Sequence, residues 1–186
     1  MKSVPAVFLD RDGVLNMAVV RDGKPYPPAD AASLILAKGA NQALTALRSV
    51  GFRLICVTNQ PDLARGSRTV ENVAAMNQKV MDLLPLDDLL CCPHDNQDRC
   101  SCRKPKPGML LKAAAKWSLD LDRSWMIGDR ASDVGAGRTA GCRTIFIDHG
   151  YAEGGPEPPA DFNCPSLSEA VEVVLKHSPA NHNRAG

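Results

Sequence analysis

The first residues that could carry out chemistry are two carboxylates near the start of the chain. Asp10 and Asp12 directly follow an apolar run, residues 4–9, that is typical of a buried strand. Because side chains of an extended backbone alternate with a period of two, both carboxylates can point the same way. Carboxylates that close together repel, so one is protonated or a cation lies between them. The Asp-Arg-Asp-Gly segment is also typical of a simple turn, and the pair alone leaves both interpretations open.

Three later segments carry matching chemistry, and each follows a predicted strand. Thr58 can offer a hydroxyl and neighbouring backbone N–H groups to phosphoryl oxygens, and Lys104 can supply a positive charge, unless it is a solvated surface residue. Asp129 can join the first two carboxylates around a hard cation, for which Mg²⁺ fits best. Asp133, one helical turn later, can support that site or be a helix-surface charge. Together these residues indicate metal-assisted phosphoryl transfer.

A second set of metal-ligating residues lies just before the lysine. The set is Cys92, His94, Cys100 and Cys102. Three thiolates and one imidazole suit a closed tetrahedral Zn²⁺ site, and the absence of an open ligand position makes it structural rather than catalytic. A reduced, metal-free cysteine loop is the alternative. Cys91 adjoins the set and could compete with Cys92 for the ion. The remaining cysteines are expected to be core residues: Cys56, Cys142 and Cys164.

The elements that must position these residues alternate between strands and helices. Strands are predicted at residues 4–9, 52–57, 86–92, 124–127 and 143–147. Helices are predicted at residues 39–50, 69–84, 108–117, 131–140 and 166–176. This alternation predicts an α/β fold with a doubly wound parallel sheet, in which ligands bind at the carboxyl ends of the strands. The proline-containing loop at residues 20–30 is a candidate wall of the substrate site.

Length and composition restrict the class of protein further. The 186 residues suit one domain, which we assign to residues 1–177, with a flexible tail at 178–186. The net charge of +1 argues against a nucleic-acid partner. No stretch reaches the roughly 18 apolar residues of a membrane span, and charged residues begin too early for a signal peptide. We therefore expect a cytoplasmic protein. Because no exposed apolar helix is obvious, we expect a monomer, and the phosphoryl-transfer chemistry indicated by the motifs predicts a small phosphorylated partner.

The order of the motifs resembles that of the haloacid dehalogenase (HAD) superfamily. The segments that carry the resemblance are Phe8-Leu9-Asp10-Arg11-Asp12-Gly13-Val14-Leu15-Asn16, Thr58-Asn59-Gln60, Arg103-Lys104-Pro105 and Gly128-Asp129-Arg130-Ala131-Ser132-Asp133. They look like the four-motif signature of that superfamily and extend over residues 8–133, most of the chain. The resemblance implies a Rossmann-like core and phosphatase activity.

The resemblance also implies a role for each matching residue. Asp10 would be the nucleophile that forms an aspartyl-phosphate, and Asp12 would exchange the proton with the leaving oxygen and the attacking water. Asp10, the backbone carbonyl of Asp12 and Asp129 would hold Mg²⁺, supported by Asp133. Thr58 and Lys104 would bind the transferring phosphoryl group. The expected substrate-binding residues are Asn59, Arg103 and Arg130, the last at a position where similar enzymes often carry lysine.

The same resemblance narrows the range of possible substrates. The intervals between the motifs leave no room for a folded cap domain, so loops alone should shape the site. Within the superfamily the motifs are similar to those of the heptose bisphosphate phosphatases, which implies a sugar bisphosphate. The five-residue spacer of the zinc loop looks more like that of the histidinol-phosphate phosphatases, which are the alternative. A zinc-stabilised phosphate-binding module without turnover is a third possibility, and a DNA-end phosphatase is disfavoured because the chain has few aromatic residues and no basic groove.

Overall fold

The fold is organised around a parallel sheet, seen in a computed structural model that describes residues 3–178. The strands are β1 (Val4–Leu9), β2 (Val19–Arg21), β3 (Lys24–Tyr26), β4 (Arg53–Asn59), β5 (Asp88–Cys92), β6 (Leu119–Gly128), β7 (Arg143–Ile147) and β8 (Phe162–Cys164). Six of them form one sheet in the order β5-β4-β1-β6-β7-β8, and every neighbouring pair is parallel. The predicted fold class is confirmed.

Five α-helices connect the strands and cover the sheet. They are α1 (Ala40–Ser49), α2 (Val70–Leu83), α3 (Gly108–Trp117), α4 (Ala131–Thr139) and α5 (Leu167–His177). Two begin at the side-chain caps that their sequences suggest: Thr69 accepts a hydrogen bond from the Asn72 N–H at 3.2 Å, and Ser166 accepts one from the Glu169 N–H at 3.3 Å. All five observed helices differ from the predicted ranges by no more than one residue at either end.

The core lies on both faces of the sheet, because a parallel sheet is stable only when helices bury both sides. One apolar cluster joins Leu9 and Leu54 to residues of α1, α2 and α5. The other joins Phe8 and Val57 to residues of α3 and α4. Residues 6–9 of the central strand β1 have no exposed surface at all. This rigid strand ends at Asp10, so the first candidate carboxylate has a fixed origin.

Two strands of the main sheet differ clearly from the sequence-based prediction, and the hairpin strands β2 and β3 were not predicted. The strand predicted at 124–127 begins at Leu119, because the segment 119–120 pairs with the start of β1 before the register shifts between Pro5 and Val7. The short strand β8 was not predicted, since three residues carry too little pattern. Asp161, just before it, accepts hydrogen bonds from the Thr144 N–H (2.7 Å) and hydroxyl (2.8 Å) and thereby fixes β8 at the sheet edge.

The segments between the motifs hold no inserted domain within residues 3–178. Between β1 and α1 the only regular structure is the antiparallel hairpin β2–β3, which occupies part of the predicted loop at 20–30. Between β4 and β5 there is one helix, α2. None of the helices in the described residues is long and apolar enough to cross a membrane. The predicted tail lies, from residue 179 onward, outside the described residues.

Candidate active site

Three buried carboxylates converge at the carboxyl edge of the sheet. Asp10 follows β1, Asp129 follows β6, and Asp133 lies in the first turn of α4. One oxygen from each lies within 4.8 Å of the others, and all three residues are buried. Neither oxygen of Asp129 has a donor at hydrogen-bonding distance and angle among the described residues, although burial and the nearby charge of Asp129 raise the pKa of Tyr151. Because buried carboxylates are normally paired or coordinated, this set of hard oxygen ligands fits a divalent cation such as Mg²⁺.

A glycine allows the backbone that leaves β1 to pass close to Asp129. Gly13 has a positive φ of 90°, which favours glycine, and a Cβ atom there would overlap the Asp129 carboxylate. Gly128 is similarly confined, since a Cβ atom at that position would collide with the Asp133 side chain. The Asp-Arg-Asp-Gly segment is therefore more than a turn, because its glycine leaves the space in which the carboxylates meet.

One buried cation faces this cluster. The Lys104 Nζ lies 2.8 Å from Asp10 Oδ1 and 2.6 Å from Asp133 Oδ1, and it donates to the Val57 carbonyl at 2.7 Å. Burial acts to lower the pKa of Lys104, but the charges of the two carboxylates outweigh it and raise the pKa. Lys104 is thus held at the sheet edge and is not a surface residue.

The charges around Lys104 do not cancel. Three carboxylates face one ammonium group, so the fully ionised cluster lacks two positive charges. Burial raises the pKa of Asp10 to about 6, with further contributions from Asp133 and Asp12, although Lys104 opposes the shift. Burial and the charges of Asp10 and Asp133 also raise the pKa of Asp129. A dication between these groups would relieve the repulsion and restore the ionised forms.

Asp12 lies in a different environment from the other carboxylates. Its oxygens accept hydrogen bonds from Arg11 at 2.8 Å, from Asn16 Nδ2 at 3.0 Å and from Gln60 Nε2 at 2.8 Å. Its side chain is 15% exposed, so it reaches solvent from the edge of the cavity described below. This side chain is not part of the converging set, and only the backbone carbonyl of Asp12 stays a predicted metal ligand.

Gln60 is a site residue whose role the sequence did not reveal. Its Nε2 donates to Asp12 at 2.8 Å and to the Thr58 hydroxyl at 2.9 Å, and the residue is almost fully buried. It therefore fixes two of the predicted catalytic residues relative to each other. The signal was present, since Gln60 completes the Thr-Asn-Gln segment, but an amide in that segment has no assigned chemistry.

Asn59 engages the backbone of Lys104. Its Oδ1 accepts from the Lys104 N–H at 3.1 Å, and its Nδ2 donates to the Lys104 carbonyl at 3.0 Å. This reciprocal pair joins the end of β4 to the segment that carries the buried Lys104. Asn59, a predicted substrate-binding residue, lines the cavity, and its amide also positions the backbone of Lys104.

An open cavity of about 360 Å³ lies above the carboxylates. Its floor contains Asp10, Thr58 and Lys104, and the hairpin β2–β3 forms one wall. Both predicted arginines, Arg103 and Arg130, lie at its rim. The cavity therefore brings together all seven residues that were predicted as catalytic or substrate-binding, whereas the predicted metal ligand Asp129 is buried and does not line it.

The cysteine loop has the dimensions of a tetrahedral metal site. Its four ligand atoms all lie within 4.8 Å of one another. With bonds of about 2.3 Å to sulfur and 2.0–2.1 Å to nitrogen, a tetrahedron requires about 3.8 Å between sulfurs and about 3.6 Å from sulfur to nitrogen. The observed distances from Cys92 Sγ are 3.8 Å to Cys100 Sγ and 3.5 Å to His94 Nδ1. Cys102 Sγ lies closer than a tetrahedron requires, 3.2 Å from Cys92 Sγ and 3.3 Å from His94 Nδ1, so this ligand would move outward by a few tenths of an ångström around a bound ion. The donor set fits Zn²⁺, and no other cysteine of the described residues joins it.

The neighbouring thiols behave differently from these ligands. Cys91 packs against the apolar core on the opposite side of β5 from Cys92, as the alternation of side chains along a strand requires. Cys56, Cys142 and Cys164 are buried, as expected. Burial acts to raise the pKa of Cys100, but hydrogen bonds from the backbone N–H of Arg103 and from neighbouring groups lower it to about 7. Burial instead raises the pKa of Cys92 to about 12, so of these two ligand thiols only Cys100 is readily available as a thiolate before a metal binds.

Comparisons with known proteins agree with this geometry. Residues 101–170 match a family model described as HAD-hydrolase-like. The chain is 34% identical over 182 residues to the D-glycero-beta-D-manno-heptose-1,7-bisphosphate 7-phosphatase of Helicobacter pylori (strain ATCC 700392 / 26695), covering 94% of this chain and 99% of that protein. It is 36% identical over 194 residues to the enzyme of the same name from Escherichia coli (strain K12), covering 94% and 96%.

A solved structure is similar over the whole fold. The D,D-heptose 1,7-bisphosphate phosphatase from B. bronchiseptica, complexed with magnesium and phosphate, superposes with a TM-score of 0.78 at 30% identity. The match covers 94% of this chain and 99% of that chain. The similarity therefore includes the sheet, its connections and the edge at which the carboxylates meet.

Proposed function

Since the chain belongs to the family of HAD-like phosphatases that includes the heptose 1,7-bisphosphate 7-phosphatases, we propose that it hydrolyses the 7-phosphate of D-glycero-D-manno-heptose 1,7-bisphosphate. The observation that carries the proposal is the buried cluster of Asp10, Asp129 and Asp133, in which Asp129 has no hydrogen-bond partner. Burying such a cluster costs free energy unless a bound cation compensates the negative charges, and carboxylates of this kind are typical of functional sites.

The first chemical step falls to Asp10. A carboxylate oxygen of Asp10 attacks phosphorus, a new P–O bond forms, and the P–O bond to the sugar breaks with its electron pair on the sugar oxygen. Asp12 gives its proton to that oxygen, and its contacts with Arg11 and Gln60 hold it in place for this role. Asp12 then takes a proton from the water that hydrolyses the aspartyl-phosphate and releases inorganic phosphate.

The other residues of the floor hold the group being transferred. Lys104 and the Thr58 hydroxyl would bind its oxygens, and Asn59 keeps the Lys104 backbone in place. Asp10, the backbone carbonyl of Asp12 and Asp129 would hold Mg²⁺, with Asp133 in support. When bound, Mg²⁺ neutralises charge on the phosphoryl oxygens and keeps Asp10 ionised.

The rim of the cavity suits a second phosphate. Arg103 and Lys24 line the cavity, and neither forms an ion pair with a carboxylate within the described part of the chain. Arg130 completes a rim of cations above a floor that would bind one phosphate. A small sugar with phosphates at both ends would satisfy floor and rim together, whereas a substrate with one phosphate would leave the rim cations unused.

The cysteine loop would support this site through Zn²⁺. The segment that ends at Cys102 leads directly into Arg103 and Lys104, and Arg103 donates to the His94 carbonyl at 3.1 Å and to Asn96 at 2.8 Å. A metal ion that fixes the loop would therefore also fix both cations. Reduced thiols are typical of a reducing compartment, so we place the protein in the cytoplasm, where it would act as a monomer.

The test is a substrate panel with Mg²⁺. It contains both anomers of the heptose 1,7-bisphosphate, the heptose 7-phosphate, histidinol phosphate and a generic aryl phosphate, compared by kcat/KM. We expect the bisphosphate to exceed the monophosphates at least tenfold, because only it uses floor and rim together. Histidinol phosphate is the alternative that the five-residue spacer between His94 and Cys100 favours. If histidinol phosphate ranked first, the proposed sugar substrate would be wrong, and no turnover of any phosphate would refute the phosphatase mechanism.

A further inference from the structure

The two rim arginines are held in different ways. Arg103 donates to the Asn96 side-chain oxygen and to the His94 carbonyl, both of which are uncharged acceptors. Arg130 instead forms an ion pair with Glu153, with 2.6 Å between Nη1 and Oε2. The charge of Arg103 is therefore free for an incoming anion, whereas the charge of Arg130 is already compensated.

Glu153 is fixed at the cavity by its neighbours. It lies in the segment between β7 and β8, and it lines the cavity. The adjacent Ala152 N–H donates to the Gly23 carbonyl at 2.9 Å, which ties this segment to the hairpin β2–β3. Arg130 donates from Nη2 to the Pro25 carbonyl of the same hairpin at 2.7 Å. The Glu153–Arg130 pair therefore lies where hydrogen bonds join three segments: the β7–β8 connection, the hairpin β2–β3 and the start of α4.

We propose that Glu153 is a specificity-determining residue that occupies Arg130 until the second phosphate of the substrate displaces it. The inference rests on the proposed function, because it requires a bisphosphate. The displaced carboxylate turns to solvent, and Arg130 exchanges a monoanionic partner for a phosphate that carries up to two negative charges. No covalent bond changes in this exchange.

The strength of the ion pair sets the size of the effect. The side chains of Arg130 and Glu153 are 37% and 39% exposed, so water weakens their attraction and an anion can displace the carboxylate. Displacing the Glu153 carboxylate from Arg130 nevertheless reduces the net binding energy, and it does so only for a substrate that places a phosphate at the rim. Glu153 therefore lowers the affinity for the bisphosphate and leaves the affinity for a monophosphate unchanged. In this way it reduces the preference of the enzyme for doubly phosphorylated sugars.

The experiment compares wild-type protein with Glu153→Gln and Glu153→Ala on the heptose 1,7-bisphosphate and the heptose 7-phosphate. We expect each variant to raise kcat/KM for the bisphosphate about two- to fivefold at low ionic strength, mainly through KM, because exposed ion pairs are worth up to about 1 kcal/mol. The monophosphate should change little. The increase should diminish as salt screens the pair, and it should disappear when Glu153→Gln is combined with Arg130→Gln.

The matched control is Glu157→Gln, which removes the same charge from an exposed position of the same segment that does not line the cavity. It should leave both substrates unchanged. An unchanged or raised KM for the bisphosphate in both Glu153 variants would overturn the inference and would instead make Glu153 a support for Arg130. Failure of the proposed function gives a different result, because wild-type protein would then show no preference for the bisphosphate.

Discussion

The acidic cluster and the cysteine loop are two candidate metal sites built in opposite ways. The carboxylates come from the ends of two neighbouring strands of the sheet and from the helix that follows the second of them. The zinc ligands all come from residues 92–102, a single stretch of chain. The first site therefore depends on the tertiary fold to bring its ligands together, whereas the second needs only a loop that can wrap around one ion.

Burial separates the two sites further. All three residues of the acidic cluster are buried, but only Cys92 of the zinc ligands is buried. Burying like charges costs free energy that the rest of the fold must supply, and this cost keeps the acidic site reactive toward a cation and a phosphoryl group. The thiol site would instead gain stability from a bound metal. In our proposal the fold holds the acidic cluster together for the reaction, and a metal in the cysteine loop stabilises the segment next to it.

The largest expected effect comes from changing the nucleophile of the acidic cluster. Asp10→Asn keeps the shape of the side chain but removes the charge and the nucleophilic oxygen. We expect kcat to fall at least a thousandfold, because covalent catalysis has no substitute in the site. The protein should still fold, since the substitution removes one of three mutually repelling charges. Steady-state kinetics together with a thermal melt checks both statements.

The control for this variant is Asp82→Asn, an exposed aspartate that accepts a hydrogen bond from Gln78 on the surface of α2. Its activity should equal that of the wild type. Residual turnover of Asp10→Asn above one per cent would mean that another group attacks phosphorus. The acidic cluster would then be a metal site only, and the proposed difference between a reactive acidic cluster and a structural cysteine loop would be wrong.

The zinc loop should respond to substitution in both metal content and activity. Replacing Cys100 and Cys102 with alanine removes two of the four ligands, so we expect the zinc content to fall from one ion per chain to none. Activity should fall roughly 10- to 100-fold, as is typical when support of a site is lost, because Arg103 and Lys104 follow Cys102 directly. Atomic absorption measures the metal, and kcat/KM measures the activity.

Cys91→Ala offers a matched control, because this thiol adjoins the ligands but packs against the core. It should keep its zinc and most of its activity. If the double variant were folded, free of zinc and fully active, the loop would have no role in positioning the two cations. If Cys91→Ala lost its zinc, the assignment of Cys92 as the ligand would be wrong.

The sequence predicted both sites for different reasons. The ligands of the zinc loop are local, so the spacing of Cys92, His94, Cys100 and Cys102 is sufficient to suggest them. The acidic cluster required an additional rule, namely that the carboxyl ends of parallel strands meet at one edge. Once β1 and β6 were placed in one sheet, the proximity of Asp10 and Asp129 followed. The strand lengths were less predictable, because the charged residues at the start of β6 hide its pairing with β1.

The positioning contacts could not be predicted in the same way. Gln60 bridges Asp12 and Thr58, and Glu153 pairs with Arg130, yet neither residue lies in a pattern that predicts its partner. Such contacts depend on where a side chain points after the backbone is fixed. They arise from side-chain packing in the folded protein, whereas the spacing of ligands and the order of strands and helices can be read along the sequence.

The smallest expected loss of activity tests the contacts of Gln60. Gln60→Leu keeps the approximate volume of the side chain but removes the donor that serves Asp12 and Thr58. We expect kcat to fall about tenfold with little change in KM, since a lost hydrogen bond to a charged group costs about 1.5–3 kcal/mol and part of that is recovered by water. The matched control is Gln78→Leu on the exposed face of α2, which should leave kcat unchanged. An equal rise in KM without loss of kcat would show that Gln60 contributes to substrate binding, and the acidic site would then rely on the fold alone to orient Asp12.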